Sequence, residues 1–420
     1  MSRDEVRLQY EDYPYPSRDP AEERQRLIEG SPSHLLEVDH YLFAGRADFA
    51  GDFQVLVAGG GTGDAAIMLA QQLADRTPKG AKGGQVTYLD LAAKTRAIAQ
   101  ARAQARGLSN IRFVTGSLLA VADLAPGPYH YIDCCGVLHH LPEPEAGLRA
   151  LAGVLKPGGG MGMMLYGEYG RYGVYPVQEM LRVIGKDRPL PERIGQARRL
   201  LEALPPTHGF KLNRNLGDHK RGDAELVDLL LHSQDRAYRV EQVYDLIAAA
   251  PGLSLASFIK PIFYRPESYL TDPGLLKEVG SLERAEREAF AERLAGNMKT
   301  HVFYVTSRDT PAEALAPWDA REAVPVLMNE EGPALAKGMA KLERLRLKHH
   351  GVAFEWELPK ASTAILEAID GERDLAGIHQ RLRSRNKALT YEKFLGLYQP
   401  FFALFNGLNL LFHAYPRERR

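Results

Sequence analysis

Between residues 53 and 166, short apolar runs alternate with longer stretches whose apolar positions recur every three or four residues. The short runs, at 53–58, 85–90, 111–115, 129–135 and 161–166, are rich in Val, Ile, Leu, Met and Tyr and predict β-strands. The stretches between them predict helices over 64–75, 92–106 and 143–155. Gly107 stops the second and Lys156-Pro157-Gly158-Gly159-Gly160 ends the third. Strands alternating with helices imply right-handed crossovers and a parallel sheet, an α/β doubly wound fold. After residue 166 the rhythm breaks. Residues 167–236 are rich in Tyr, Gly, Pro and Arg, with helical pieces at 178–184 and 192–204. The alternation then resumes with a helix at 240–250 and strands at 253–259 and 302–307. These read as the last elements of the same sheet.

The flanks have other patterns. Residues 1–50 predict a helical cap: a Tyr/Pro segment, then helices over 20–30 and 33–45. A Pro/Ala linker at 310–318 leads to a mainly helical domain over 325–420, with one β element at 353–358. Within it, 365–382 reads as helix, Asp-Gly turn, helix, and loosely resembles a winged-helix module. The apolar stretch 401–415 reads as a buried core helix, too short to span a bilayer.

Charge narrows the partners. Lys plus Arg and Asp plus Glu number 53 each, so no global positive field draws in nucleic acid. The basic stretches 341–350 and 381–387 read as solvated helix faces. The two cysteines, Cys134 and Cys135, are adjacent, a poor arrangement for a structural disulfide. They point to a reducing, cytoplasmic setting, and no Cys/His spacing suggests a metal site. The first twenty residues are charged, without the apolar core of a signal peptide.

The candidate chemistry begins at 55–70, VLVAGGGTGDAAIMLA. A glycine-rich turn between strand and helix lets backbone approach a ligand closely; Gly59, Gly61 and Gly63 are the candidate contacts. Asp90, ending the second strand, suits a carboxylate that accepts ribose hydroxyls. Two further segments follow in order, YIDCCGVLHHLPEP (131–144) and LKPGGGMGMMLY (155–166). Together these motifs resemble the class I S-adenosylmethionine (SAM)-dependent methyltransferases, closely over 50–170 and by strand pattern over 238–307.

The resemblance implies a seven-stranded Rossmann-like sheet over 51–310, its last strand antiparallel beside the sixth, and SAM as cofactor. Val57 stands where the family usually has an acid, with Asp64 a partial replacement. Ser117 stands where an Asp often contacts adenine. Cys135 lies at the ligand edge, where packing near the cofactor is the simpler reading. His139 and His140 are the candidates for a base; the competing reading is that they pack and cap the next helix. The insertion 167–236 is expected to act as a lid, with Tyr166 before it and Tyr169, Tyr172, Tyr175 and His232 within it facing the methyl acceptor; the competing reading is that these rings only pack the lid. About half the chain lies outside the SAM-binding core, which favours a protein or peptide acceptor. The alternatives are O-methylation of a small metabolite and an inactive SAM-binding scaffold.

Overall fold

The computed structural model describes residues 3–415; the extreme ends of the expected cap and C-terminal domain lie outside it. Seven strands form one sheet in the order β3-β2-β1-β4-β5-β7-β6. They are β1 (Gln54–Ala58), β2 (Gln85–Asp90), β3 (Ile111–Thr115), β4 (Tyr129–Cys135), β5 (Leu155–Tyr166), β6 (Ser254–Phe258) and β7 (Thr300–Thr306). The pairs β1/β2, β1/β4, β2/β3 and β4/β5 are parallel, and β6/β7 is antiparallel. This is a Rossmann-like sheet with its last strand antiparallel beside the sixth, as the resemblance implied. Residues 55–58 are buried on both faces of β1, as a covered parallel sheet requires.

The start of β5 differs from the sequence expectation. Lys156-Pro157-Gly158-Gly159-Gly160 is not a stop after a helix but the first half of β5. The helix before it ends at Ala152. The register passes from Tyr129–Leu155 to Tyr131–Gly160, and the surplus residues bulge out. Glycines are what such a bulge needs, so the same residues serve as turn or bulge.

Contacts divide the chain into two compact units. The first comprises residues 1–34, 48–253 and 296–302. It carries the glycine turn and the insertion. Tyr238 donates its amide to the Tyr166 carbonyl and accepts from the Glu168 amide, so the insertion leaves and returns at one point. Val174, Val177, Leu181, Ile194, Phe210 and Leu230 give the insertion its own apolar core. The expected helix over 20–30 is only a short turn, Pro20–Arg24. There Glu23 is buried against Arg102 and Arg106, an ion-pair role that a three-residue periodicity does not reveal.

The second unit comprises residues 35–47, 254–295 and 303–420. Its helix Tyr391–Gly407 buries Phe394, Tyr398, Phe401 and Phe405. The expected core helix over 401–415 therefore stops at Gly407. Asn409 takes a left-handed backbone (φ 64°), and Leu411–Ala414 pairs with Val324–Leu327 as an antiparallel strand. The basic stretch 341–350 is likewise not a helix face. Arg344–His349 is a strand paired with Val352–Glu357, its Arg and Lys alternating with Leu345 and Leu347. Arg346 pairs with Glu355 at 2.6 Å. Among the described residues no helix is long and apolar enough to cross a membrane.

Candidate active site

A cavity of about 400 Å³ opens at the C-terminal ends of β1, β2 and β4. At one end lie Gly59, Gly60, Gly61, Asp90, Ser117 and Cys135. Gly59 has φ 79°, and a Cβ there would stand 2.2 Å from Val137 Cγ2. No side chain fits that position, so backbone itself forms the wall. Asp90 accepts the Gly61 amide (2.8 Å), the Ala92 amide (3.0 Å) and the Thr95 hydroxyl (2.9 Å). Burial pushes its carboxyl above the usual range, and those bonds pull it back. Asp90 thus holds the glycine turn as well as facing the cavity. Ser117 caps the turn that follows β3 by accepting the Leu119 amide.

Asp64 lines the cavity, but both its oxygens are engaged. Arg18 bonds it at 2.6 Å and Arg102 at 2.6 Å. It anchors the N-terminal segment rather than presenting a free carboxylate. Burial and the neighbouring Asp133 push the Cys135 thiol well up, so it remains protonated.

The other end of the cavity is tyrosine-walled and acidic. Tyr10, Tyr15, Tyr166, Asp228, Glu225 and His140 line it, as do Arg171 and Lys299. Asp228 sits on a π-helical turn, Val227–Leu231. Tyr166 donates to Asp228 at 2.9 Å and Tyr10 at 3.4 Å. Burial raises the Asp228 carboxyl, against His140, Tyr166 and Arg171, which lower it. His140 donates Nδ1–H to the Gln234 carbonyl (2.7 Å), which leaves Nε2 as the ring nitrogen free to take a proton. Its ring stacks on His232 at 3.8 Å.

His140, Asp228 and His232 bring three ligand-type atoms within 4.8 Å of one another. A shared metal does not suit the protons. His232 Nδ1 accepts the Gln234 amide (3.0 Å), and burial lowers its pKa well below the ordinary value. The proton of the neutral ring is therefore on Nε2, where it meets the Tyr10 oxygen at 3.2 Å. The group is a hydrogen-bond chain, His232 to Tyr10 to Asp228, with Tyr166 closing the far side.

A family model described as a methyltransferase domain matches residues 56–161. An uncharacterized protein of Synechococcus is 30% identical over 315 residues, 72% of this chain and 71% of its own. The structure of PKMT2 from Rickettsia typhi superimposes with a TM-score of 0.61 at 14% identity, over 92% of this chain and 77% of that one. A second structure of it, with AdoHcy, gives 0.57 at 14% identity, over 96% and 76%. The chain belongs to the class I SAM-dependent methyltransferases. It is an enzyme, and SAM is its cofactor. The ubiquinone biosynthesis O-methyltransferase of Albidiferax ferrireducens is 38% identical over 77 residues, only 18% of this chain and 31% of that protein. That match spans less than a third of either chain, and some methyl acceptor is implied.

The cavity suits SAM: backbone amides and a ribose-type acid at one end, aromatic faces for a sulfonium toward the other. Of the residues singled out from the sequence, Gly59, Gly61, Asp64, Asp90, Ser117, Cys135 and His140 line it, and Gly63 begins the helix Asp64–Arg76 behind the turn. His139 is buried but is not among the lining residues. Its ring stacks on Tyr166 at 4.0 Å, and neither ring nitrogen has a partner. Tyr169, Tyr172 and Tyr175 are not in the wall either; Tyr172 is 44% exposed, and Tyr175 accepts from Arg171. His232 stands behind His140. Tyr10, Tyr15, Glu225 and Asp228 were not read as site residues. The one sequence signal for the first two is the tyrosine density of YEDYPYP at 10–16.

Asp133, also in the wall, gives a pH prediction. Burial pushes its carboxyl up to about 6 from 3.8, against hydrogen bonds from Ser33, Cys135 and Tyr131. A raised carboxyl pKa means the folded protein favours the protonated form. Its stability contribution is fully present below pH 3.8 and is lost as pH rises through about 6. The loss is roughly 3 kcal/mol by the cost of a pKa shift of this size. Asp133→Asn should therefore melt higher than wild type near pH 7, with the gap closing toward pH 4. An equal gap at both pH values would contradict this.

Proposed function

We propose that the methyltransferase N-methylates an amine presented by a protein or peptide. The observation that carries this is the charge of the acceptor end. Arg171 is matched by Asp235 at 2.7 Å, and Lys299 by Asp218 at 3.9 Å. Asp228 and Glu225 form no ion pair among the described residues. Two unmatched acids beside the rings of Tyr10, Tyr15 and Tyr166 suit a cation, such as a lysine ammonium.

When bound, SAM supplies an electrophilic methyl group on a sulfonium. An ammonium has no lone pair until it loses a proton. His140 Nε2 is the atom that takes it, held in place by the Gln234 carbonyl at Nδ1. Asp228 and the tyrosine hydroxyls keep the cation in line, and positioning of this kind supplies most of the acceleration in a displacement. The protein-borne acceptor is supported by the extent of chain beyond the cofactor-binding elements, including an insertion with its own core. A small hydroxyl metabolite is the competing acceptor; His140 serves it equally, but the two acids do not.

The test uses labelled SAM, the purified enzyme, and either cell extract or a lysine-rich peptide. We expect label in protein or peptide that survives mild alkali, as methylamines do. Label confined to small organic products, or released as methanol by alkali, overturns the reading.

A further inference from the structure

We propose that residues 6–18 are a strap that opens for cofactor exchange, and that Tyr10 on it is a positioning residue whose hydroxyl sets Asp228 and His232 beside His140 when the strap is closed. The inference rests on the reading of His140 and Asp228 as acceptor-site groups. It does not need the acceptor to be an amine.

The strap reaches both ends of the cavity. Val6, Tyr10, Tyr15 and Pro16 are all in its wall. The Tyr15 carbonyl lies 2.9 Å from where a Cβ of Gly61 would be, so the strap rests against the glycine turn itself. A ligand held by that turn is covered by this segment, and its exchange requires the segment to move.

The strap is held by polar bonds at its edges. Glu11 accepts the Ala93 amide (2.7 Å) and the Lys94 amide (2.9 Å) at the start of helix Ala93–Arg106. This is a carboxylate on the exposed amides of a helix N-terminus. Arg18 grips Asp64 through two nitrogens, and the Thr62 hydroxyl donates to the Pro16 carbonyl (2.8 Å). Glu11 is half-buried and Arg18 is 28% exposed on its side chain, so water can replace both bonds as the strap opens. These three anchors are on the glycine turn or on the helices that follow β1 and β2, the elements that hold the cofactor. Closing the strap and organising the cofactor site therefore draw on the same residues.

Tyr10 connects this movement to the acceptor end. Its hydroxyl stands 3.2 Å from His232 Nε2 and 3.4 Å from Asp228 Oδ1. Because His232 Nε2 carries the proton, it donates to Tyr10, whose own proton is left for Asp228. Asp228 is also faced by Tyr166, by His140 and by Arg171 with its partner Asp235. Those groups all belong to the body of the unit, and only the Tyr10 bond comes and goes with the strap. Removing it leaves His232 Nε2–H buried with no acceptor.

Two variants test the two halves, and the measurements that decide each half, dissociation with hydrogen exchange and the His232 proton, require no acceptor. The double variant Glu11→Gln, Arg18→Gln loosens the anchors without touching the cavity wall. Labelled S-adenosylhomocysteine should leave it about tenfold faster than wild type, the scale expected from two partly exposed charged bonds. Hydrogen exchange on the wild type should show the amides of residues 6–18 more protected with S-adenosylhomocysteine than without. Tyr10→Phe keeps the ring and removes only the hydroxyl. The His232 Nε2 proton, followed by NMR with S-adenosylhomocysteine bound, should exchange with water at least about tenfold faster, as expected for the loss of its acceptor. With a lysine-rich peptide, Tyr10→Phe should lower kcat more than it changes the KM for SAM. Dissociation within twofold of wild type together with equal protection overturns the strap. An unchanged His232 proton in Tyr10→Phe overturns the positioning role. A wild type that leaves the peptide unmethylated speaks against the amine reading alone.

Discussion

His140→Ala is expected to lower methyl transfer by about 10²- to 10⁴-fold, the usual contribution of a positioned general base, while SAM affinity stays within about twofold. The Gln234 carbonyl engages Nδ1, so Nε2 is the nitrogen left to take a proton, and His140 lines the cavity. The adjacent His139 is the matched control. Burial and the neighbouring His140 hold it well below the ordinary histidine pKa, and neither ring nitrogen is bonded. Its ring packs on Tyr166. His139→Phe keeps an aromatic ring on Tyr166 and removes two buried polar atoms that lack partners, so turnover should remain within a few-fold and the fold should not weaken. Kinetics with one acceptor for both variants decide the matter. Comparable losses in the two would mean that the pair acts through packing and that the base lies elsewhere.

Asp90→Ala is expected to weaken SAM by roughly ten- to over a hundredfold, the scale of a charge-assisted hydrogen bond at ~1.5–3 kcal/mol. It should also lower the melting temperature. The substitution leaves the Gly61 and Ala92 amides without their acceptor, while the Thr95 hydroxyl keeps the Ala92 carbonyl at 2.8 Å. Each unsatisfied buried donor costs ~1–3 kcal/mol. Asp90→Asn separates the two effects, because an amide oxygen still accepts but carries no charge. It should recover much of the stability and little of the affinity. Calorimetric titration with SAM beside thermal melts reads both quantities. SAM affinity within twofold of wild type in folded Asp90→Ala would assign the residue to the turn alone.

The cofactor half of this protein was legible in the sequence because its determinants are local. Strands β2, β3 and β4 fall at the residues where the apolar runs begin and end. A glycine turn, a strand-ending acid and the order of the motifs are short-range features, fixed by φ/ψ sterics and by alternation. Short-range features also misled where two structures share one composition. The glycines of 156–160 suit a stop or a bulge, and only pairing with β4 made them a bulge. The basic run at 344–349 alternates as a strand does, but its partner strand shows only in the fold.

The acceptor half was decided by tertiary structure. Tyr10 and Asp228 are 218 residues apart in sequence, and Tyr166 and Asp228 are 62 apart. No periodicity links such positions. Of the four expected pocket tyrosines only Tyr166 lines the cavity; Tyr169, Tyr172 and Tyr175 do not, and Arg171 does. Helix and strand patterns state which face of an element is buried, but not which distant element covers it. That choice is made when apolar faces pack, and with it the meeting of His140, Asp228, His232 and Tyr10.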